Sequence, residues 1–318
     1  MASLAAVAAA RSAGVLLVAF VAFFPASGAF VSLTQAALMD AAPGRQQQRM
    51  AAWNLAGSAG AVSGPLVLAA VIAVGGGWRT AYLMLAAAAG LALAVAVIGA
   101  PSRLVPAVVA ADGDEGEDSG RRPSVREALS TLRKGDVARW VVLLEITDLL
   151  LDVLTGYIGV YLVDVAGTSP AEAAIGVAVR LGSGLAGDAL FVLVSKRVSG
   201  PAALRASAVA ACVLYPSFLL VPWVPAKLVI LAVLGMTTAC WYPVVQAGLY
   251  GSLPGRSGIA VFLASAAGLV GAAGPLAVGF IAQQAGLTWA LAALGAAPAA
   301  VLMTMPRAAR RRSRKVNR

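Results

Sequence analysis

Long runs of apolar residues alternate along the chain with short segments rich in glycine, proline and charge. A hydrocarbon core of about 30 Å needs roughly 20 consecutive apolar residues in a helix. Nine stretches reach that length, at about 13–39, 50–74, 78–100, 140–163, 172–195, 203–222, 226–249, 257–282 and 287–305. In lipid every backbone N–H and C=O must find its partner inside the segment, so these runs predict helices. The expected fold is an all-α membrane protein with nine visible transmembrane helices. Residues 1–10 form a shorter apolar stub.

Composition supports the same class. Hydrophobic residues make up 60% of the chain and charged residues 12%, with mean hydropathy +0.86. A soluble domain carries about twice that charged fraction. There is no histidine, which removes His-based triads, His metal ligands and His proton shuttles. Cys212 and Cys240 sit apart in apolar stretches and form no ligand or disulfide spacing. No Gly-x-x-x-x-Gly-Lys-Ser/Thr sequence is present, so direct use of ATP is not expected. No cofactor, metal or catalytic residue is implied.

The net charge of +10 is distributed unevenly. With the carboxy terminus placed in the cytoplasm, only Arg11, Arg79 and Lys227 of the 24 Lys and Arg residues fall outside, and Arg180 lies within a span. The other 20 are cytoplasmic, which is the positive-inside pattern. Seven of them crowd the tail from Arg307 to Arg318. Beside a membrane, such a tail is an orientation anchor for anionic lipid rather than a nucleic-acid grip. Arg11 ahead of an apolar run resembles a signal peptide, but the run continues through Leu38 and reads as a span.

An internal repeat divides the chain. Gln35-Ala36 matches Gln246-Ala247, and Pro43-Gly44-Arg45 matches Pro254-Gly255-Arg256, both at an offset of 211. After a one-residue gap, Gly64-Pro65-Leu66 matches Gly274-Pro275-Leu276. A repeat in one orientation signals a duplicated bundle. Projected back, it places the first-half counterpart of 138–211 before Met1, so three further spans are expected upstream and the chain reads as a truncated product. The expected domains are the rest of an amino-terminal six-helix bundle over 1–100, a cytoplasmic linker over 101–138, a carboxy-terminal six-helix bundle over 139–306 and the basic tail 307–318. Within the linker, Asp112 to Asp118 is an acidic, glycine-rich run. Ser124-x-x-Glu127 reads as a capping box opening a short surface helix.

Two six-helix halves, a charged link and duplicated Pro-Gly-Arg turns resemble the major facilitator superfamily of the twelve-span type. Gly60-x-x-x-Gly64-Pro65 resembles that family's antiporter motif, although Leu68 and Ala69 stand where further glycines usually follow. The family's acidic-basic turn has a looser counterpart in Gly187-Asp188, with Lys196-Arg197 eight residues after the aspartate. The resemblance implies a secondary transporter moving a small solute by alternating access, and the Gly60–Pro65 motif implies proton-coupled efflux. In physical terms Gly57, Gly60 and Gly64 would let helices approach closely while Pro65 bends the helix. Gly271, Gly274 and Pro275 are expected to act likewise in the second half. Arg45 and Arg256 mark cytoplasmic turns.

The sharpest chemical signal is Glu145-x-x-Asp148-x-x-x-Asp152. At 100° per residue the three carboxylates fall within about 60° of one helix face. Intramembrane charges are costly and usually face a cavity. Arg180 is expected near the depth of Asp152 and to pair with it, and Asp188 is expected near Glu145 and Asp148. A cluster of Glu145, Asp148 and Asp188 would repel itself if fully ionised, so one of them is expected to carry a proton. Gln35, Trp241, Tyr242 and Gln246 are candidate cavity residues. The expected partners are a small solute, protons and lipid, the expected state a monomer, and the expected site a plasma, inner or plastid-envelope membrane. Two other readings compete. One is a non-transporting fragment. The other is a magnesium-dependent intramembrane prenyltransferase, which would need a second aspartate-rich motif that the sequence lacks.

Overall fold

The structure is a computed structural model that describes residues 2–42, 44–99, 125–133 and 135–305. The acidic linker, Ser124 of the expected capping box, Pro43 of the first Pro-Gly-Arg turn and the basic tail lie outside the described residues.

Every regular element among the described residues is a helix. In chain order they are α1 (Ala2–Ala9), α2 (Ala13–Asp40), α3 (Gln46–Ala73), α4 (Trp78–Gly99), α5 (Val125–Leu132), α6 (Gly135–Asp164), α7 (Pro170–Val194), α8 (Gly200–Leu220), α9 (Val224–Thr238), α10 (Trp241–Gly251), α11 (Ser257–Gly271), α12 (Ala273–Ala285), α13 (Leu287–Leu294) and α14 (Ala297–Thr304). Eight helices or helix pairs are long and apolar enough to cross a membrane. With the 30-residue α6 they correspond to the nine expected spans. The protein is an integral, multi-pass membrane protein.

Three of the spans are broken pairs, and each break has the same covalent cause. α9 gives way to α10 ahead of Pro243, α11 to α12 ahead of Pro275, and α13 to α14 ahead of Pro298. Proline has no N–H to give the carbonyl four residues back. Those carbonyls belong to Ala239, Gly271 and Leu294, each at or beside the end of the preceding helix. Pro25, Pro65 and Pro216 instead stand inside continuous helices.

The two Pro-Gly-Arg turns share one backbone geometry. Gly44 and Gly255 take φ of 78° and 70°, values a side chain would oppose. Arg45 N–H donates to the Ala42 carbonyl and Arg256 N–H to the Leu253 carbonyl, each at 3.0 Å, and a helix starts on the next residue in both cases.

The chain forms two compact units, Met1–Ala41 with Ala59–Ser124, and Ala42–Ser58 with Val125–Arg318. In the first, α1 packs on α2 and α4, and Arg79 of α4 donates to the Ala10 carbonyl just past α1 at 2.9 Å. Phe20, Tyr82 and Trp78 form two edge-to-face contacts beside it, at 6.3 and 6.1 Å.

In the second unit α6 is central and contacts α7, α10, α11, α12, α13 and α14. Its apolar side is fully enclosed at Leu143, Leu150, Leu154 and Ile158. α7 lies against α9 through small residues. A Cβ at Gly187 would stand 2.7 Å from the Met236 backbone, and one at Gly235 would meet Ser183. Close approach through glycine is how helices gain contact in lipid, where apolar burial gives no drive. The short α5 turns Ala128 and Thr131 inward and leaves Arg126 and Ser130 exposed.

Candidate functional site

The face of α6 that carries charge opens on the α11–α12 break. Glu145, Asp148 and Asp152 line a cavity of about 220 Å³ whose other wall includes Gly268, Gly271 and Pro275. Glu145 and Asp148 are half-buried, and Asp152 is the most open of the three. One helix face brings the carboxylates together, as the spacing predicts. The opposite wall depends on Gly271, because a Cβ there would run into the Glu145 carboxylate. Pro275 supplies a further oxygen, since the Gly271 carbonyl has lost its helical donor. Gly274 lies outside this wall and packs on the Leu149 side chain instead.

Arg180 of α7 is 93% buried, being 7% exposed. Gly184, one turn on, leaves room for its guanidinium, as a Cβ there would come within 3.3 Å of Nη1. Asp152 and Asp188 are the carboxylates whose charge reaches it, but no ion pair joins Arg180 to either one. Its Nε is enclosed and has no hydrogen-bond partner. The expected Asp152–Arg180 pair is therefore open in this structure, and the two charges stand near one another unjoined.

Asp188 does not join the other carboxylates around the cavity. Its Oδ1 accepts from Asn54 Nδ2 at 2.8 Å and its Oδ2 from Ser58 Oγ at 2.5 Å. One residue before Asn54, Trp53 stacks on Tyr242 at 6.5 Å. At the start of α3, Gln47 Nε2 donates to the Val198 carbonyl at 3.1 Å, and its Oε1 accepts from the Gly200 N–H at 2.8 Å. The first three turns of α3 are thus held by side-chain hydrogen bonds to α7 and to the α7–α8 turn. Sequence reading missed Gln47, Asn54 and Ser58. Their spacing of seven and four residues puts them on one helix face, a polar stripe that was there to be found.

Of the other candidates, Trp241 is fully enclosed and its N–H donates to Ser207 Oγ at 2.8 Å, which makes it a packing anchor between α8 and α10. Gln246 is buried, donates to the Tyr242 hydroxyl at 3.2 Å and keeps Oε1 without a partner. Gln35 is buried on α2 in the first unit. Among the described residues, a Cβ at Gly57, Gly60 or Gly64 would meet no atom within 4 Å. Arg45 and Arg256 stand at the two matched turns.

Comparison with known proteins agrees with this architecture. No curated protein matches the chain as a close relative. Solved structures are similar in fold, two of them of one protein. One is a variant of the E. coli fucose:proton symporter FucP, with TM-score 0.64 and 16% identity, and the match spans 95% of this chain and 79% of that one. The other is FucP, a major facilitator superfamily transporter, in its outward conformation, with TM-score 0.65 and the same identity and coverage. The sequence profile of the Major Facilitator Superfamily matches residues 1–273. On that match this chain belongs to the Major Facilitator Superfamily, a family of transporters rather than enzymes.

Proposed function

We propose that this protein is a secondary active transporter that carries a small solute by alternating access and couples that movement to protons. The observation that carries the reading is the cavity itself, in which three intramembrane carboxylates face the proline-broken α11–α12 span. Charge held inside a membrane bundle is expensive and is retained where ions or substrates pass. Carboxylates so close together favour having one of their number protonated, which supplies a site that loads a proton from one side and releases it to the other. A broken span exposes backbone carbonyls where a solute binds and gives the wall a hinge, as in other transporters. FucP, whose fold this chain shares, is itself a proton symporter.

Export is the direction we favour, from the Gly60–Pro65 motif. The carboxy terminus is proposed to be cytoplasmic, with the Pro-Gly-Arg turns on the same side and the halves of the repeat acting as the two moving bundles. The protein is proposed to work as a monomer.

The test is solute-dependent proton movement in proteoliposomes holding the full chain, under an imposed pH gradient and with a panel of small solutes. Proton flux is expected with at least one solute and is expected to be lost in Asp152→Asn. If no solute in the panel moves protons or accumulates in either direction, the reading fails.

A further inference from the structure

Arg180 and Asp188 stand about two turns apart on α7, with Gly184 between them. Residues four apart on a helix share a face, with about 6 Å between their Cβ positions. The Arg180 side chain runs toward Asp188, since a Cβ at Gly184 would lie 3.3 Å from its Nη1. The bare backbone at Gly184 thus gives the guanidinium a bed midway to the aspartate. Of the two carboxylates whose charge reaches Arg180, Asp188 acts the more strongly. Yet among the described residues no ion pair joins them, and the Nε of this buried arginine has no partner. Buried polar groups are almost always partnered, so an arginine left short beside an aspartate of its own helix needs a cause.

That cause lies on α3. Asn54 and Ser58 each engage one oxygen of Asp188, which commits the carboxylate to α3. The segment that does so is lightly held. Within Gln46–Ser58 only Met50 and Ala51 are buried. Its other ties are the Gln47 bonds at the α7–α8 turn and the Trp53–Tyr242 stack. Segments with little apolar burial are the ones that open at low cost. α3 also runs unbroken to Ala73, and from Ala59 onward it belongs to the other compact unit, so a pull on that part of the helix is carried to these bonds.

We propose that the first three turns of α3 are a strap that competes with Arg180 for Asp188. With the strap down, Asn54 and Ser58 hold the aspartate and Arg180 is left short. When the strap lifts, the arginine closes on Asp188 over Gly184, and the carboxylate is not left bare inside the bundle. Each arrangement therefore has its own partner for the same aspartate, which makes the strap a two-state element. The inference goes beyond the transporter reading and does not depend on it.

The test is hydrogen exchange of the full chain in detergent, with no solute and no pH gradient, read over Gln46–Ser58. Arg180→Gln removes the competitor and leaves the strap's own contacts in place. Exchange over the strap is expected to slow several-fold, the size of coupling between groups that share one network, while α14 exchanges as in wild type. A purely structural role for Arg180 predicts the opposite sign, because losing a buried arginine would loosen its surroundings. Arg180→Lys keeps a cation and is expected to exchange nearer to wild type. Gly184→Val is the second variant, since the Arg180 guanidinium is the only group within 4 Å of that Cβ position. It fills the bed, keeps both charges and is expected to slow strap exchange as well. Unchanged or faster strap exchange in Arg180→Gln, with α14 unaffected, overturns the inference. If Arg180→Gln loosens α14 too, Gly184→Val decides. Slower strap exchange in that variant upholds the exchange of partners, and unchanged or faster exchange overturns it.

Discussion

Ser58 of α3 donates its hydroxyl to Asp188 of α7 at 2.5 Å, and Asn54, one turn earlier, serves the other carboxylate oxygen. The aspartate is thereby tied to a helix far from it in sequence. A carboxylate accepting from two neutral donors forms charge-assisted bonds, stronger than bonds between neutral groups. Asp188→Ala would strand both donors. The expected result is faster hydrogen exchange over the first three turns of α3, with α8 and α9 unchanged, and a stability loss of about 2 kcal/mol. Unchanged exchange in Gln46–Ser58 would show that Gln47 and the Trp53–Tyr242 stack hold this segment without the aspartate.

Gly187 gives a second prediction, because the space opposite it is backbone rather than a movable side chain. A Cβ there would lie 2.7 Å from both the Met236 Cα and carbonyl oxygen, and 2.8 Å from the Ala239 Cβ. Gly187→Ala must therefore push α7 away from α9, at an expected cost of about 2 kcal/mol or more. Gly182 lies on the same helix with nothing within 4 Å of its Cβ position, so Gly182→Ala is expected to be neutral. Thermal unfolding in detergent compares the two.

How much of this was legible in the sequence follows from the range of each interaction. Spans depend on a sum over some 20 residues, so the nine stretches match the helices closely, and the duplicated Pro-Gly-Arg motif foretold two turns that share a geometry at Gly44 and Gly255. The α6 carboxylates share a face because 3.6 residues per turn is a local rule. What failed was pairing between helices. Asp188 and Arg180 were placed by depth alone, whereas their partners depend on how each helix is rotated about its axis. Depth put Asp188 with Glu145. Rotation puts it with Asn54 and Ser58. Glycine was ambiguous for the same reason, since the composition of Gly57, Gly60 and Gly64 resembles that of Gly176, Gly187 and Gly235, yet only the latter three have close neighbours.

The wall opposite the carboxylates makes a third prediction. Among the described glycines, Gly271 is the one whose added Cβ would collide with Glu145. Gly271→Ala should swing that carboxylate out of the cavity while leaving the helices in place, since the obstruction is the end of a flexible side chain. Solute-driven proton flux is expected to fall about tenfold or more, with thermal stability within about 1 kcal/mol of wild type. Gly268→Ala on the same wall has open space at its Cβ and is expected to keep most of the flux. Equal losses in both variants would mean that cavity volume, rather than Glu145, governs transport.

Lys227 explains an exception in the charge distribution and makes the last prediction. It is one of three cations expected on the far side from the carboxy terminus, yet it is buried. Its Nζ donates to the Phe218 carbonyl at 2.7 Å, the Leu219 carbonyl at 3.1 Å and the Tyr161 hydroxyl at 2.9 Å. Both carbonyls belong to the last turn of α8, where the helix leaves acceptors unpaired and the dipole favours a cation. The ammonium also lies over the Tyr161 and Phe218 rings at 5.1 and 5.3 Å. Arg79 does the same for Ala10 after α1. These two cations thus close helix ends, a local use that accounts for two of the expected exceptions to the positive-inside pattern. Lys227→Met keeps the stem's length but takes the ammonium from the Phe218 carbonyl and leaves the Leu219 carbonyl with only the Tyr161 hydroxyl, which donates to it at 3.2 Å, and the expected loss is about 2 kcal/mol, read as a fall of several degrees in unfolding temperature. Lys227→Arg retains the charge and donors and should recover part of it. A Lys227→Met protein as stable as wild type would show that water takes over the carbonyls and that the buried ammonium holds nothing together.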